Sequence, residues 1–232
     1  MRNRAALRFE GFSPAALTFL RGLAQHNERP WFEARREIYE TELLGPLRSL
    51  VEDAASALRS AKIPLGGTAK RSVFRIYRDV RFGHDKTPYK THLSAYLSYD
   101  GDKGTPGGLY VHVQPGASMV AAAFYAIDRP LLQRWRAELA AKPARFRTVL
   151  RTLAKRGLAL DGPETWDDAL ARMPRGFEAL AEHELAPYFR LKSFVVRQML
   201  TDEVVSSRAL VDRIVSLAKD ARPFLEFGWS LE

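Results

Sequence analysis

At Ser72 the hydrophobic period of the chain changes from 3.6 residues to 2, and past Ile127 it changes back. A stretch patterned for helix cannot bury its apolar side as a strand, nor the reverse, so these two switches divide the 232 residues into helix, sheet and helix. Before the first switch, Ser13-Pro14 reads as an N-cap followed by proline in the first turn, and Leu17, Leu20, Leu23 and Ala24 form the apolar stripe. Pro30 opens a second helical stretch carrying Trp31, Phe32, Arg35, Ile38 and Tyr39. Gly45-Pro46 should interrupt it before Leu47, Leu50, Val51 and Ala54 resume the pattern.

Between the switches, Phe74 to Phe82 alternates. Phe74, Ile76, Val80 and Phe82 form one face, and Arg75, Tyr77, Asp79 and Arg81 the other, with Arg78 as a misfit on the apolar side. Further strands are expected at 93–99, 109–114 and 119–125. The short connections between them, including the glycine-rich loop Asp100–Gly108, predict an antiparallel meander. After the second switch, Asp128 should cap a helix through Trp135. Pro143 starts another that stops at Gly157, residues 177–184 form a short acidic helix, and a last helix spans 207–224. Phe194–Val196 can supply a fifth strand. The expectation is an α+β fold with a central antiparallel β-meander of four to five strands. It forms one domain over 1–232: helical over 13–60, sheet over 72–126, and helical over 128–232 with the extra strand near 191–197.

The chain has no cysteine, which excludes a disulfide scaffold, thiolate zinc and a thiol nucleophile. Its longest apolar run, Met119–Ile127, has nine residues, whereas a membrane span needs about twenty. No apolar run follows the basic residues Met1–Arg8, so neither a secretory signal nor a membrane contact is expected, and the location expected is cytoplasmic. The five histidines lack paired metal-ligand spacing, so no metal site is expected, and no G-x-S-x-G, Walker or Rossmann fingerprint is present. No cofactor follows from the sequence.

Net charge is +9, from 36 basic and 27 acidic residues, which favours anionic partners. The densest segment is Lys70–His92, with seven basic residues against Asp79 and Asp85. Arginine forks bind phosphate or carboxylate bidentately, and lysine adds a mobile point charge. Arg75, Arg78, Arg81, Lys86 and Lys90 are therefore candidate anion ligands, with His84, Asp85, Tyr89 and His92 in the adjoining loop. The strand faces can extend that surface with Ser94, Tyr96, Ser98, Tyr110, His112 and Gln114. Such a face is either solvated or the floor of a cleft. A second basic region, Arg134–Arg156, sets eight cations against Glu138.

With these residues in view, the chain resembles a known family. The signatures are Phe9-Glu-Gly-Phe12, Asn27–Phe32, Phe74–Phe82, Asp85-Lys-Thr-Pro-Tyr-Lys-Thr91, Gly108–His112 with Pro115-Gly116, and Leu191-Lys-Ser-Phe-Val-Val-Arg197. The family is the bacterial and fungal "domain of unknown function 2461" group, and the similarity runs nearly end to end. The resemblance implies no reaction or cofactor, but it marks Arg78, Asp79, Arg81, Asp85, Lys86, Tyr89, Lys90, Lys192 and Arg197 for attention.

Three functions are compatible with these residues. The first is a site for a small phosphorylated or carboxylated anion, held by Arg75, Arg78, Arg81, Lys86 and Lys90 and closed by Lys192 and Arg197. Asp79, Asp85, Tyr89 and His112 would be its candidates for proton transfer. The second is a nucleic-acid-binding domain using both basic regions with exposed tyrosines. The third is a module that meets an acidic protein partner.

Overall fold

The computed structural model describes residues 8–81, 85–167 and 169–232. The expected places of Phe82 and His84 lie outside the described residues. The N-terminal helices are α1 (Pro14–Gln25), α2 (Arg29–Glu33), α3 (Arg36–Ile38), α4 (Gly45–Ser60) and α5 (Ala69–Ser72). Strands β1 (Leu93–Leu97), β2 (Gly108–Val113) and β3 (Ser118–Phe124) follow. Helices α6 (Arg129–Ala141), α7 (Pro143–Ala154) and α8 (Ala186–Phe189) lead to β4 (Phe194–Leu200). The chain closes with α9 (Asp202–Val205), α10 (Ala209–Asp220) and α11 (Arg222–Trp229). The fold is α+β, with one four-stranded antiparallel sheet in the order β1-β2-β3-β4. The first three strands form a meander, and the helices α6 to α8 intervene before β4 joins beside β3. Among the described residues no helix is long and apolar enough to cross a membrane.

The chain divides into two compact units. The first takes in the chain up to Thr105 with Leu109–Val120 and Met199–Ser216. The second takes in Pro106–Gly108, Ala121–Gln198 and Leu217–Glu232. In the first, the Ser13 hydroxyl accepts from Ala16 N at 3.2 Å, and α1 buries Leu17, Phe19, Leu20 and Leu23. The interruption at Gly45-Pro46 takes the form of a π turn over Tyr39–Leu44, whose end is marked by Gly45 N donating to Glu40 O. Proline has no N–H for the Glu42 carbonyl, so the wider turn lets the chain re-enter a helix there. Helix α4 then buries Leu47, Leu50, Val51, Ala54 and Leu58 and packs on β1.

Over the described residues 74–81 the strand expected at 74–82 does not form. Val73 bridges Ala95 and Tyr77 bridges Tyr89, so three residues on one side face five on the other. Two extra residues within Lys90–Ser94 make a bulge, and no two successive bridges share a register. The sheet accordingly begins at β1 rather than near Ser72. Burial still alternates along the segment: Ile76 is buried between exposed Arg75 and exposed Tyr77.

In the second unit the Asp128 carboxylate accepts from Leu131 N at 2.8 Å to start α6, and Trp135 sits fully buried, stacked on Phe194 at 3.9 Å. The final helix expected over 207–224 breaks at Ala221. Pro223 cannot donate to the Lys219 carbonyl, and the Arg156 guanidinium supplies that bond at 2.9 Å and a second to Asp220 O at 2.7 Å.

Candidate functional site

The register Ser94↔His112 and Tyr96↔Tyr110 puts these four side chains on one face of the β1–β2 hairpin. That face is not simply solvated: Ser94 and Tyr96 are buried, while Tyr110, His112 and Gln114 are half-buried. The His92 ring packs on His112 with centroids 4.2 Å apart. His112 Nε2 lies 3.0 Å from Gln114 Oε1, and Nδ1 lies 3.3 Å from the Tyr110 hydroxyl. The tautomer that satisfies both carries its proton on Nε2, donates to Gln114 and accepts from Tyr110.

Lys90 borders His92, and two further cations lie near Lys90. Lys90 precedes His92 by two residues, and its ammonium lies 5.4 Å from the centre of the Phe74 ring. Lys103 lies 5.3 Å from the same centre and donates to Val73 O at 2.9 Å. Arg75 is exposed beside Phe74 in the chain. The loop that carries Lys103 is wound around Asp100, whose Oδ1 accepts from Asp102 N at 2.9 Å, Thr105 Oγ1 at 2.8 Å and Ser98 Oγ at 3.1 Å. Those bonds, the Asp102 amide foremost, hold the Asp100 carboxyl below its ordinary range.

Electrostatics follow from burial and from this gathering of like charge. Burial, then Arg75 and Lys103, push the Lys90 ammonium down. Burial, then His112 and Lys90, push His92 down to about 4, and burial lowers His112 despite its bond to Gln114. Both imidazoles are therefore neutral at pH 7. Because the unfolded chain takes up a proton near 6.5 and folded His92 only near 4, the unfolded state binds more protons between those values. Stability is expected to fall by up to about 3 kcal/mol as pH drops from 6.5 to 4, and to be fully present above 6.5. Urea unfolding of the wild type and His92→Gln at pH 7 and pH 4.5 checks this. The variant should lose much less stability on acidification, and equal losses would refute the assignment.

Most of the other candidate residues are committed to partners inside the first unit. Arg78, the misfit of the alternating segment, turns to the Asp85 carboxylate and the Thr87 hydroxyl. Arg81 grips Asp79 with a fork of bonds at 2.9 and 2.7 Å. Lys86 donates to Val80 O at 2.9 Å. Arg78 holds the Asp85 carboxyl down at about 2, and Arg81 lowers Asp79. A carboxylate held so low is a weak base at neutral pH. Tyr89 is 2% exposed and stacks on Phe32 at 4.2 Å, while its backbone exchanges bonds of 2.9 and 3.0 Å with the Asn27 side chain. It anchors the core, with its ring also meeting that of exposed Tyr77 at 5.3 Å. Of the four residues considered for proton transfer, His112 alone stands on the half-buried hairpin face.

Lys192 and Arg197 belong to the second unit. There Arg197 Nε donates to Asp161 at 3.1 Å and its guanidinium lies 5.8 Å from the Trp166 ring; Lys192 is half-buried. The basic region of α6 and α7 is also largely occupied. Arg136 is buried and donates to the carbonyls of Phe189 and Leu191, Arg145 bonds Glu138 and Ser230, and Arg147 bonds Glu184. Sequence reading passed over Lys103 because its loop reads as a plain hairpin connection. The available signal was the run Asp100-Gly-Asp-Lys-Gly104, a lysine that follows two turn-forming aspartates. Among the described residues no group of three or more histidine or acidic side chains is placed to hold a metal ion.

Searches among curated proteins and among solved structures gave no match. Residues 15–227 match the model of the family described as "Conserved hypothetical protein (DUF2461)", and the chain belongs to that family.

Proposed function

We propose that the hairpin face binds a small phosphorylated or carboxylated ligand, with Lys90, Lys103 and Arg75 as its cations and the neutral His92–His112 pair beside them. One observation carries this reading. Lys90 and Lys103 share the Phe74 ring, Lys90 feels the charge of both Lys103 and Arg75, and no carboxylate forms an ion pair with any of the three among the described residues. Elsewhere in the same unit the arginines Arg71, Arg78 and Arg81 each meet an aspartate. A gathering of like charge is costly alone and is relieved by an anion. A cytoplasmic setting goes with this reading, supported by a cysteine-free chain that needs no oxidising compartment.

Thermal unfolding with inorganic phosphate, pyrophosphate and citrate tests it. At 100 times its dissociation constant a ligand stabilises by about 2.7 kcal/mol, a rise in midpoint of roughly 5–10 °C for a chain of this size. The Lys90→Ala/Lys103→Ala protein should lose that rise. No shift with any of these anions, or an undiminished shift in the double variant, would overturn the reading.

A further inference from the structure

Lys90 differs from the other lysines of the first unit in its seat. Lys86 is exposed and bound to a carbonyl, whereas Lys90 is half-buried, with its ammonium facing an aromatic ring and no hydrogen-bond acceptor assigned to it among the described residues. Lys90 and His92 both lie in the bulged stretch Lys90–Ser94, close enough for the Lys90 charge to act on the His92 ring. An amine on an apolar surface among other cations gives up its proton more readily than a solvated one. The lowering of Lys90 by burial, Arg75 and Lys103 agrees with that setting.

We infer that Lys90 is a covalent site, whose amine condenses with the carbonyl of a small oxo acid while Lys103 and Arg75 hold the carboxylate. The inference rests on the anion-binding reading and adds a carbonyl to the ligand. The Lys90 nitrogen attacks the carbonyl carbon, and the C=O electron pair passes to oxygen, which takes up a proton from solvent, balanced by the proton that stays on the imine nitrogen. The proton shed by nitrogen can pass to His92, whose neutral imidazole accepts it and returns it to the hydroxyl of the carbinolamine. The C–O bond then breaks, water leaves, and a C=N bond joins Lys90 to the acid. No oxidant or reductant enters, and one water is released for each imine formed.

The test uses the full chain with pyruvate or glyoxylate and cyanoborohydride, which delivers hydride to the imine carbon and fixes the adduct as a secondary amine. Peptide mapping by mass spectrometry then reads each lysine. Lys90 is expected to be alkylated several-fold faster than the exposed Lys142 and Lys219. Inorganic phosphate should protect Lys90 and leave Lys219 unaffected. In Lys90→Arg the adduct at position 90 should disappear while alkylation of Lys219 stays as in the wild type. Alkylation of Lys90 no faster than that of Lys219 in the wild type would overturn the inference. The phosphate midpoint reports separately on the anion site, so failure of one reading is distinguishable from failure of the other.

Discussion

Replacing Gly11 by alanine is expected to destabilise the first unit by roughly 3–5 kcal/mol, the sum of backbone strain and overpacking. Gly11 sits at φ +117°, a conformation that side chains rarely adopt, and a Cβ there would lie 2.2 Å from Ser206 O and 2.6 Å from Ser207 N. Both are backbone atoms and cannot swing aside. The approach is held on either side, because Phe12 N donates to Val205 O at 3.1 Å, and Arg208 binds both Phe9 O and Asp53 at 3.1 Å. Gly116 provides the control. It also has positive φ, at +73°, but an added Cβ meets nothing within 4 Å. Gly116→Ala should therefore cost only about 1–2 kcal/mol, the left-handed penalty alone. Thermal unfolding followed by circular dichroism compares the two; equal midpoints would refute the argument that close approach dominates at Gly11.

In the second unit, Trp135→Ala should cost about 3–5 kcal/mol through the cavity it leaves. Trp135 is 0% exposed, stacks on Phe194 at 3.9 Å, and meets Phe124 at 5.3 Å and Phe227 at 5.1 Å edge-on. Its indole N–H is buried with no hydrogen-bond partner. Packing rather than polar bonding is therefore what the residue contributes, and Trp135→Phe should cost less than the alanine change. It retains much of the ring contact and removes the unpaired donor. Urea unfolding separates the two effects, and a phenylalanine variant as unstable as the alanine one would show that the ring stack is not the main contribution.

How far the sequence could be read depended on the range of the interaction concerned. Helix starts were legible at Ser13-Pro14 and at Asp128, because a cap involves residues within one turn of each other. The strands β1, β2 and β3 were legible too, because short runs bounded by turn residues mark them even though β1 is buried at every position, and so was the family, carried by contiguous motifs such as Phe9-Glu-Gly-Phe12. The alternation in 74–82 promised a strand that does not form over the described residues 74–81, since pairing depends on the register of another segment, and the bulge within Lys90–Ser94 shifts that register by two residues.

Charge shows the division most sharply. Counting cations marked Lys70–His92 and Arg134–Arg156 as anion-seeking regions, but counting cannot tell which cations are already occupied. Arg78 and Arg81 are taken by Asp85 and Asp79, and Arg156 by a carbonyl left open where Pro223 breaks the last helix. The sequence by itself determined the α+β class, the family and the excess of positive charge. Only the tertiary structure decided that Tyr89 belongs to the core, that His92 stacks on His112, and that Lys90, Lys103 and Arg75 form no carboxylate ion pairs among the described residues. A partner distant in sequence leaves no periodic trace in the chain; it is chosen by packing alone.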